Sequence, residues 1–276
     1  MFKDKVFRTY DIRGKVMGDE IEMDVEFAYD FGKAAGSFLI RKGCKSMACG
    51  RDVRLTSDEF QAAFIKGALE SGIDVTNLGV CPSPMLYFAA CQEEFDCGVN
   101  VTASHNPFEY NGFKVVKNNA HSVFGDDLLE IKRILIDSDF ENGKGTLNSF
   151  DISSEYFEFL NSKISVDKKI KIVVDTANAV LGPFLDKMFV NPNIEVIKLF
   201  DEVDGSFPNR APNPQYKKDL VALSAKVREV GADFGLGFDG DADRVGAVDE
   251  NGEFYTLDYF IFMETLNVKI DFTRLF

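Results

Sequence analysis

The chain has 276 residues, 45% of them hydrophobic and 28% charged, an ordinary globular composition with room for one to three cored domains. Its formal charge of −14 disfavours nucleic acid as a partner, because a phosphate backbone demands a basic face. Five scattered cysteines with no C-x-x-C pair suggest neither a disulfide framework nor a zinc site, and fit buried thiols in a reducing compartment.

In chain order, Phe7 to Gly14 reads as a short strand running into a turn, with Gly14 supplying backbone freedom. Apolar residues at Val25, Ala28, Phe31, Ala35, Phe38 and Leu39 give helical spacing. Ser46 to Cys49 is a strand candidate, and Gly50-Arg51-Asp52-Val53-Arg54 a charged loop. Thr56-Ser57-Asp58-Glu59 has capping-box spacing and opens a helix running to Glu70. Asp74 to Leu78 predicts a strand, and Cys81-Pro82-Ser83-Pro84 a turn into a helix over 85–90. Cys97-Gly98-Val99-Asn100-Val101 is a buried strand that ends at Thr102-Ala103-Ser104-His105-Asn106-Pro107. There Asn106 and Pro107 stop regular structure. Asn111-Gly112 predicts a turn into a further strand, and 126–136 returns to helical spacing.

Asp137 to Ser149 is rich in Asp, Asn, Gly and Ser and marks a domain boundary. Beyond it come a helix over Tyr156–Ile164, strands at Ile170–Val174 and Ile194–Leu199, and a Pro/Asn loop from Asp204 to Pro214. A helical face at Leu220, Leu223, Val227 and Val230 precedes strands at Phe234–Phe238 and Arg244–Val248. The alternation predicts an α/β fold of two consecutive mixed-sheet domains, 1–150 and 151–255. Residues 256–276 read as the incomplete start of a third, with a helix over Thr256–Leu266. No apolar run approaches the ~20 residues of a spanning helix, and Met1-Phe2-Lys3-Asp4 is not a secretory signal. A cytoplasmic protein with no membrane partner is therefore expected.

Ser104 stands at the end of a strand, where open α/β sheets place their chemistry. Alone it would be a turn serine. Asp239, Asp241 and Asp243 follow an apolar strand at i, i+2 and i+4, spaced by Gly240 and Ala242. Carboxylates brought that close repel unless a cation lies between them. Oxygen-only ligands suit Mg²⁺ or Ca²⁺ rather than zinc. An EF-hand would use the three aspartates and Glu250, but its glycine position holds Arg244 and the flanks read as strands. A solvated acidic turn is the structural alternative.

Phosphoryl transfer needs positioning and charge neutralisation more than covalent chemistry. A serine can hold the group, a divalent metal can neutralise it, and arginines grip phosphate. A lysine of lowered pKa can take the proton of the attacking hydroxyl. Ser104, the three aspartates, Arg13, Arg244 and Lys114 supply these parts. His105 and His121 are the only histidines, which gives poor support to a Cys–His dyad. No strand is followed by a G-x-G-x-x-G or P-loop fingerprint, against a dinucleotide enzyme or Walker ATPase.

At these residues the chain resembles the phosphohexomutase superfamily, and most closely its phosphomannomutase/phosphoglucomutase branch. Tyr10-Asp11-Ile12-Arg13-Gly14 looks like the family's N-terminal motif, and Gly50 to Arg54 like its next loop. Thr102 to Pro107 looks like its phosphoserine loop, Tyr110 to Lys114 follows at the expected interval, and Asp239 to Arg244 looks like its metal loop. The resemblance implies a catalytic set of Ser104, Lys114, Arg13, Arg244 and His105. It implies Mg²⁺ held by Asp239, Asp241, Asp243 and phosphorylated Ser104. The implied reaction moves phosphate between O1 and O6 of a hexose phosphate through a hexose 1,6-bisphosphate. The family's third-domain Gly-Glu-x-x-Gly-His loop and its fourth-domain phosphate loop are absent from this sequence. The expectation is therefore weak or no turnover by this chain alone, with a homodimer or a partner supplying the missing domains left open. Two alternatives remain: a catalytically incomplete Mg²⁺- and phosphosugar-binding fragment, and a phosphoglucosamine mutase, against which Tyr110 leans.

Overall fold

The structure is a computed structural model and describes residues 3–255. The helix expected over Thr256–Leu266, and with it the start of a third domain at 256–276, lies outside the described residues. The chain parts into two compact units between Ile152 and Ser153. Both are α/β, each with a mixed sheet.

In the first unit the strands are β1 (Ile12–Lys15), β2 (Ser46–Arg51), β3 (Asp74–Val80), β4 (Cys97–Val101), β5 (Tyr110–Lys117), β6 (His121–Ser122) and β7 (Leu147–Ser149). The helices are α1 (Val25–Arg41), α2 (Ser57–Ser71), α3 (Ser83–Ala89) and α4 (Asp126–Asp137). The sheet runs β1-β5-β4-β2-β3-β7, with β6 beside β5. Strands β4, β2, β3 and β7 are parallel, and β5 turns antiparallel to β4 and β1. β4 is buried along its whole length, the pattern of a central strand covered on both faces. The core lies under α1, α2 and α4, where Phe113 of β5 meets Phe31 (4.8 Å between ring centroids) and Phe64 (5.4 Å). With Phe113 locked into that face, alternation along the strand places Lys114 on the other. Val116, of the same parity, flanks Gly98 together with Leu86 of α3.

Asn111-Gly112 is not a turn: both residues lie inside β5. A Cβ at Gly112 would stand 2.0 Å from the Ile12 carbonyl oxygen, so this glycine serves a close approach of β1 and β5. Gly14 likewise lies in a strand, where a Cβ would sit 2.9 Å from Val6 Cγ1. The capping box at Thr56 does not form. Thr56 occupies the N-cap position of α2, but its hydroxyl accepts from Asn111 Nδ2 (2.9 Å) instead. The soft stretch 137–149 ends in β7, which pairs with β3 and so belongs to the first sheet.

In the second unit β8 (Ile170–Asp175), β9 (Ile194–Leu199), β10 (Phe234–Phe238), β11 (Val245–Asp249) and β12 (Phe254–Tyr255) form a sheet of order β12-β11-β10-β8-β9. Helices α5 (Ser153–Asn161), α6 (Leu185–Met188) and α7 (Val221–Val230) accompany it. β8 is parallel to β9 and β10, and β11 returns antiparallel to β10. Leu220, Leu223 and Val227 of the α7 region pack on Val173 and Val248, while Ile172 and Val174 enter a second core on the opposite face. Among the described residues, no helix is long and apolar enough to cross a membrane.

Candidate active site

Because β2, β3 and β4 are parallel, their carboxyl ends share one edge of the sheet, and the loop after β4 rises from that edge. Ser104 is fully buried there, with its backbone in the left-handed region at φ 53°. That conformation costs a non-glycine residue about 1–3 kcal/mol and persists only where the surroundings enforce it.

The enforcement comes from two arginines. The Arg54 side chain is fully buried against Asp52, to whose Oδ2 its Nε donates at 3.0 Å. Nη2 donates to the carbonyls of Ser104 and Asn106, both at 2.7 Å. Nη1 donates to those of Pro107 (2.7 Å) and Tyr110 (3.0 Å). One guanidinium thus gathers three loop carbonyls and that of Tyr110, the first residue of β5. Thr102 Oγ1 donates to Asp52 Oδ2 (2.7 Å) and accepts from the Ser104 N–H (2.8 Å), which joins the same carboxylate to the serine backbone. Arg13, paired with Asp11 (Nη2 to Oδ2, 2.6 Å), donates through Nη1 to the Ala103 carbonyl (3.0 Å) and to Asn106 Oδ1 (3.1 Å). His105 Nδ1 lies 3.4 Å from Ser104 Oγ.

The structure therefore gathers Ser104, His105 and Arg13 in one loop environment. Lys114 lies on β5, opposite Asn100 of β4. Arg13 is opposite Gly112 on the same strand, so both cations share a sheet face by parity. Asp52, Arg54 and Thr102 carry much of the geometry, and sequence reasoning did not assign them a role. Their signal was an Asp-x-Arg pair directly after a buried strand.

The second loop follows β10. Asp239 and Asp241 are fully buried, and the Asp243 side chain is 21% exposed. One carboxylate oxygen of each lies within 4.8 Å of the other two. The turn is closed by the Asp239 N–H donating to the Arg244 carbonyl (3.2 Å) and the Arg244 N–H donating to Asp239 Oδ1 (3.1 Å), with Ala242 at φ 61°. Arg244 Nε lies 3.9 Å from Asp243 Oδ1. Three converging carboxylates are an oxygen donor set that fits a hard divalent cation. The flanking elements are strands, not the helices of an EF-hand. Ser104, the fourth ligand implied by the resemblance, belongs to the first unit and the aspartates to the second. Next to this loop, burial pushes the Asp175 carboxyl above the usual aspartate range, against the pull of the Arg210 guanidinium beside it.

The family model of phosphoglucomutase/phosphomannomutase, alpha/beta/alpha domain I, matches residues 4–142, and that of domain II matches 154–252. The phosphomannomutase/phosphoglucomutase of Pseudomonas aeruginosa is 39% identical over 247 residues, 90% of this chain and 52% of that protein. The phosphoglucomutase of Neisseria meningitidis is 39% identical over 249 residues, 90% of this chain and 53% of that protein. The solved structure of a phosphoglucomutase/phosphomannomutase family protein from Burkholderia thailandensis matches with a TM-score of 0.90 at 33% identity, covering 98% of this chain and 60% of that one. The chain spans about half the length of the curated relatives it matches. With both domain models in order along it, the chain belongs to the phosphohexomutase superfamily, in the phosphoglucomutase/phosphomannomutase branch.

Proposed function

We propose that the chain is the phosphoryl-carrying part of a phosphohexomutase that moves phosphate between O1 and O6 of glucose or mannose phosphate. The observation that carries this reading is the serine loop. A buried serine in a left-handed conformation is braced by two guanidinium groups, in a chain whose relatives are named mutases.

In the proposed reaction Ser104 Oγ carries the phosphoryl group. A hydroxyl of the hexose phosphate attacks the phosphorus, and the bond from phosphorus to Ser104 Oγ breaks as the bond to the sugar oxygen forms. The product of this half-reaction is a hexose 1,6-bisphosphate. The proton of the attacking hydroxyl passes to Lys114 and ends on the departing Ser104 oxygen. The reverse transfer, from the other position of the turned-over bisphosphate, restores the phosphoserine. Arg13 and Arg244 offset phosphate charge, and His105 lies beside the serine oxygen. Asp239, Asp241 and Asp243 are the residues that would hold Mg²⁺, which when bound neutralises phosphoryl oxygens.

A second reading is a fragment that binds Mg²⁺ and phosphosugar without completing transfer, supported by the three carboxylates converging after β10. Chain labelled with phosphate at Ser104 and mixed with glucose 1-phosphate separates the two. The first reading expects label in a hexose bisphosphate. Label that stays on the protein while the sugar phosphate binds would favour the second.

A further inference from the structure

Arg210 lies in the loop between β9 and α7, and its side chain is 4% exposed. A guanidinium is buried only where its donors are met. Here Nε donates to Asp175 Oδ2 (2.9 Å) and Nη1 to the Ala211 carbonyl (2.9 Å). Nη2 donates to the carbonyls of Phe238 (2.7 Å) and Asp175 (3.3 Å). Asp175 ends β8 and Phe238 ends β10, neighbours in the parallel part of the second sheet. The fork ties the ends of these two strands together one peptide bond before Asp239. Asp175 is itself fixed, since its Oδ1 accepts from the Ala177 N–H at 2.9 Å.

The peptide group joining Phe238 to Asp239 is therefore held at both ends. Its carbonyl accepts from Arg210, and its N–H donates to the Arg244 carbonyl across the loop. This peptide sets the direction in which the Asp239 carboxylate enters the cluster. The cluster is one of like charges, so a loop free to relax would spread its carboxylates apart. A rigid entry opposes that relaxation.

We propose that Arg210, fixed by Asp175, is a positioning residue for the aspartate loop and sets its affinity for a divalent cation. The inference rests on the reading of Asp239, Asp241 and Asp243 as cation ligands. Supporting partners of this kind change metal affinity by about ten- to a hundredfold when removed. A lysine would not substitute, because a single ammonium point charge cannot reproduce a planar fork that meets three separated carbonyls and a carboxylate.

The test is calorimetric titration of the full chain with Mg²⁺ alone, paired with urea unfolding in the presence of a chelator. Wild type is expected to bind, and Asp241→Asn to lose binding. Arg210→Lys is expected to weaken binding about ten- to a hundredfold. The double variant Arg210→Met/Asp175→Asn should do the same, with a metal-free unfolding midpoint lowered only by the loss of a donor to three carbonyls, too little to account for the loss of affinity. A wild-type chain that binds no Mg²⁺ would overturn the cation reading and this inference together. Loss of binding in Asp241→Asn with unchanged affinity in the Arg210 variants would overturn the inference alone. So would a drop in metal-free stability that accounts for the whole loss of affinity.

Discussion

The serine loop and the aspartate loop each follow a buried strand, and each turns through a non-glycine residue in the left-handed region, Ser104 at 53° and Ala242 at 61°. They are held in opposite ways. Around Ser104 the buried carboxylates are matched one to one with guanidinium groups, Asp11 with Arg13 and Asp52 with Arg54, and those groups also gather the loop's carbonyls. After β10, three carboxylates converge within 4.8 Å, Arg244 Nε stands 3.9 Å from Asp243, and the buried Arg210 is engaged with Asp175. A loop of balanced charges is complete without a ligand. A loop of converging like charges, under the proposed reading, would be completed by a cation. The first suits a platform for a group that comes and goes, and the second suits a seat for an ion.

The largest effect that could break this comparison is expected at Arg54. Arg54→Ala leaves Asp52 buried without its partner and releases four carbonyls, a loss of about 3–5 kcal/mol in urea unfolding. The matching change in the other loop should act differently. Asp241→Asn removes one of three like charges, so the metal-free unfolding midpoint should hold or rise while Mg²⁺ binding is lost. If both variants lost stability to a similar degree in chelator, the two loops would not differ in the way described.

Thr102→Val is the next step down. It keeps the side-chain shape but removes the hydroxyl between Asp52 and the Ser104 N–H, at about 1–3 kcal/mol for the orphaned partners. An unchanged unfolding midpoint would show that the hydroxyl bridge does not brace the serine.

The smallest effect is a difference in pH response between the units. In the first, the Lys45 and Ser46 N–H groups and the Ser46 hydroxyl hold the Asp96 carboxyl below the usual range. That contribution is present above the unfolded aspartate value of about 3.9 and is lost as pH falls through the folded one. In the second, burial raises Asp175, so its contribution is fully present below about 3.9 and is lost as pH rises through the folded value. Asp96→Asn and Asp175→Asn should therefore change the pH slope of stability in opposite senses. Slopes that change in the same sense would contradict the assignment.

Much of the fold was legible because the helices and central strands bury periodic apolar faces. Phe31 and Phe38 in α1, the run Cys97–Val101 and the run Phe234–Phe238 are examples. What misled was local chemistry overridden by packing. Asn111-Gly112 carries the signature of a turn, yet Gly112 is there because β1 passes 2.0 Å from where a Cβ would be. Thr56 has capping-box spacing, yet its hydroxyl serves Asn111. In the site, the residues proposed to do chemistry stand out as short motifs around Ser104 and Asp239. Of those that hold the loops, Arg13 and Arg54 also lie in short motifs, but what they grip is not written beside them. Arg54 reaches Ser104 across fifty positions and Arg210 reaches Phe238 across twenty-eight, contacts that no local pattern encodes.

The proposed function turns on Ser104 as the phosphoryl carrier. Intact-mass measurement of the chain, incubated with a hexose 1,6-bisphosphate and Mg²⁺, tests it most directly. A gain of one phosphoryl group is expected in the wild type and none in Ser104→Ala. Wild-type chain that binds Mg²⁺ but gains no phosphoryl group, or a gain that persists in Ser104→Ala, would contradict it.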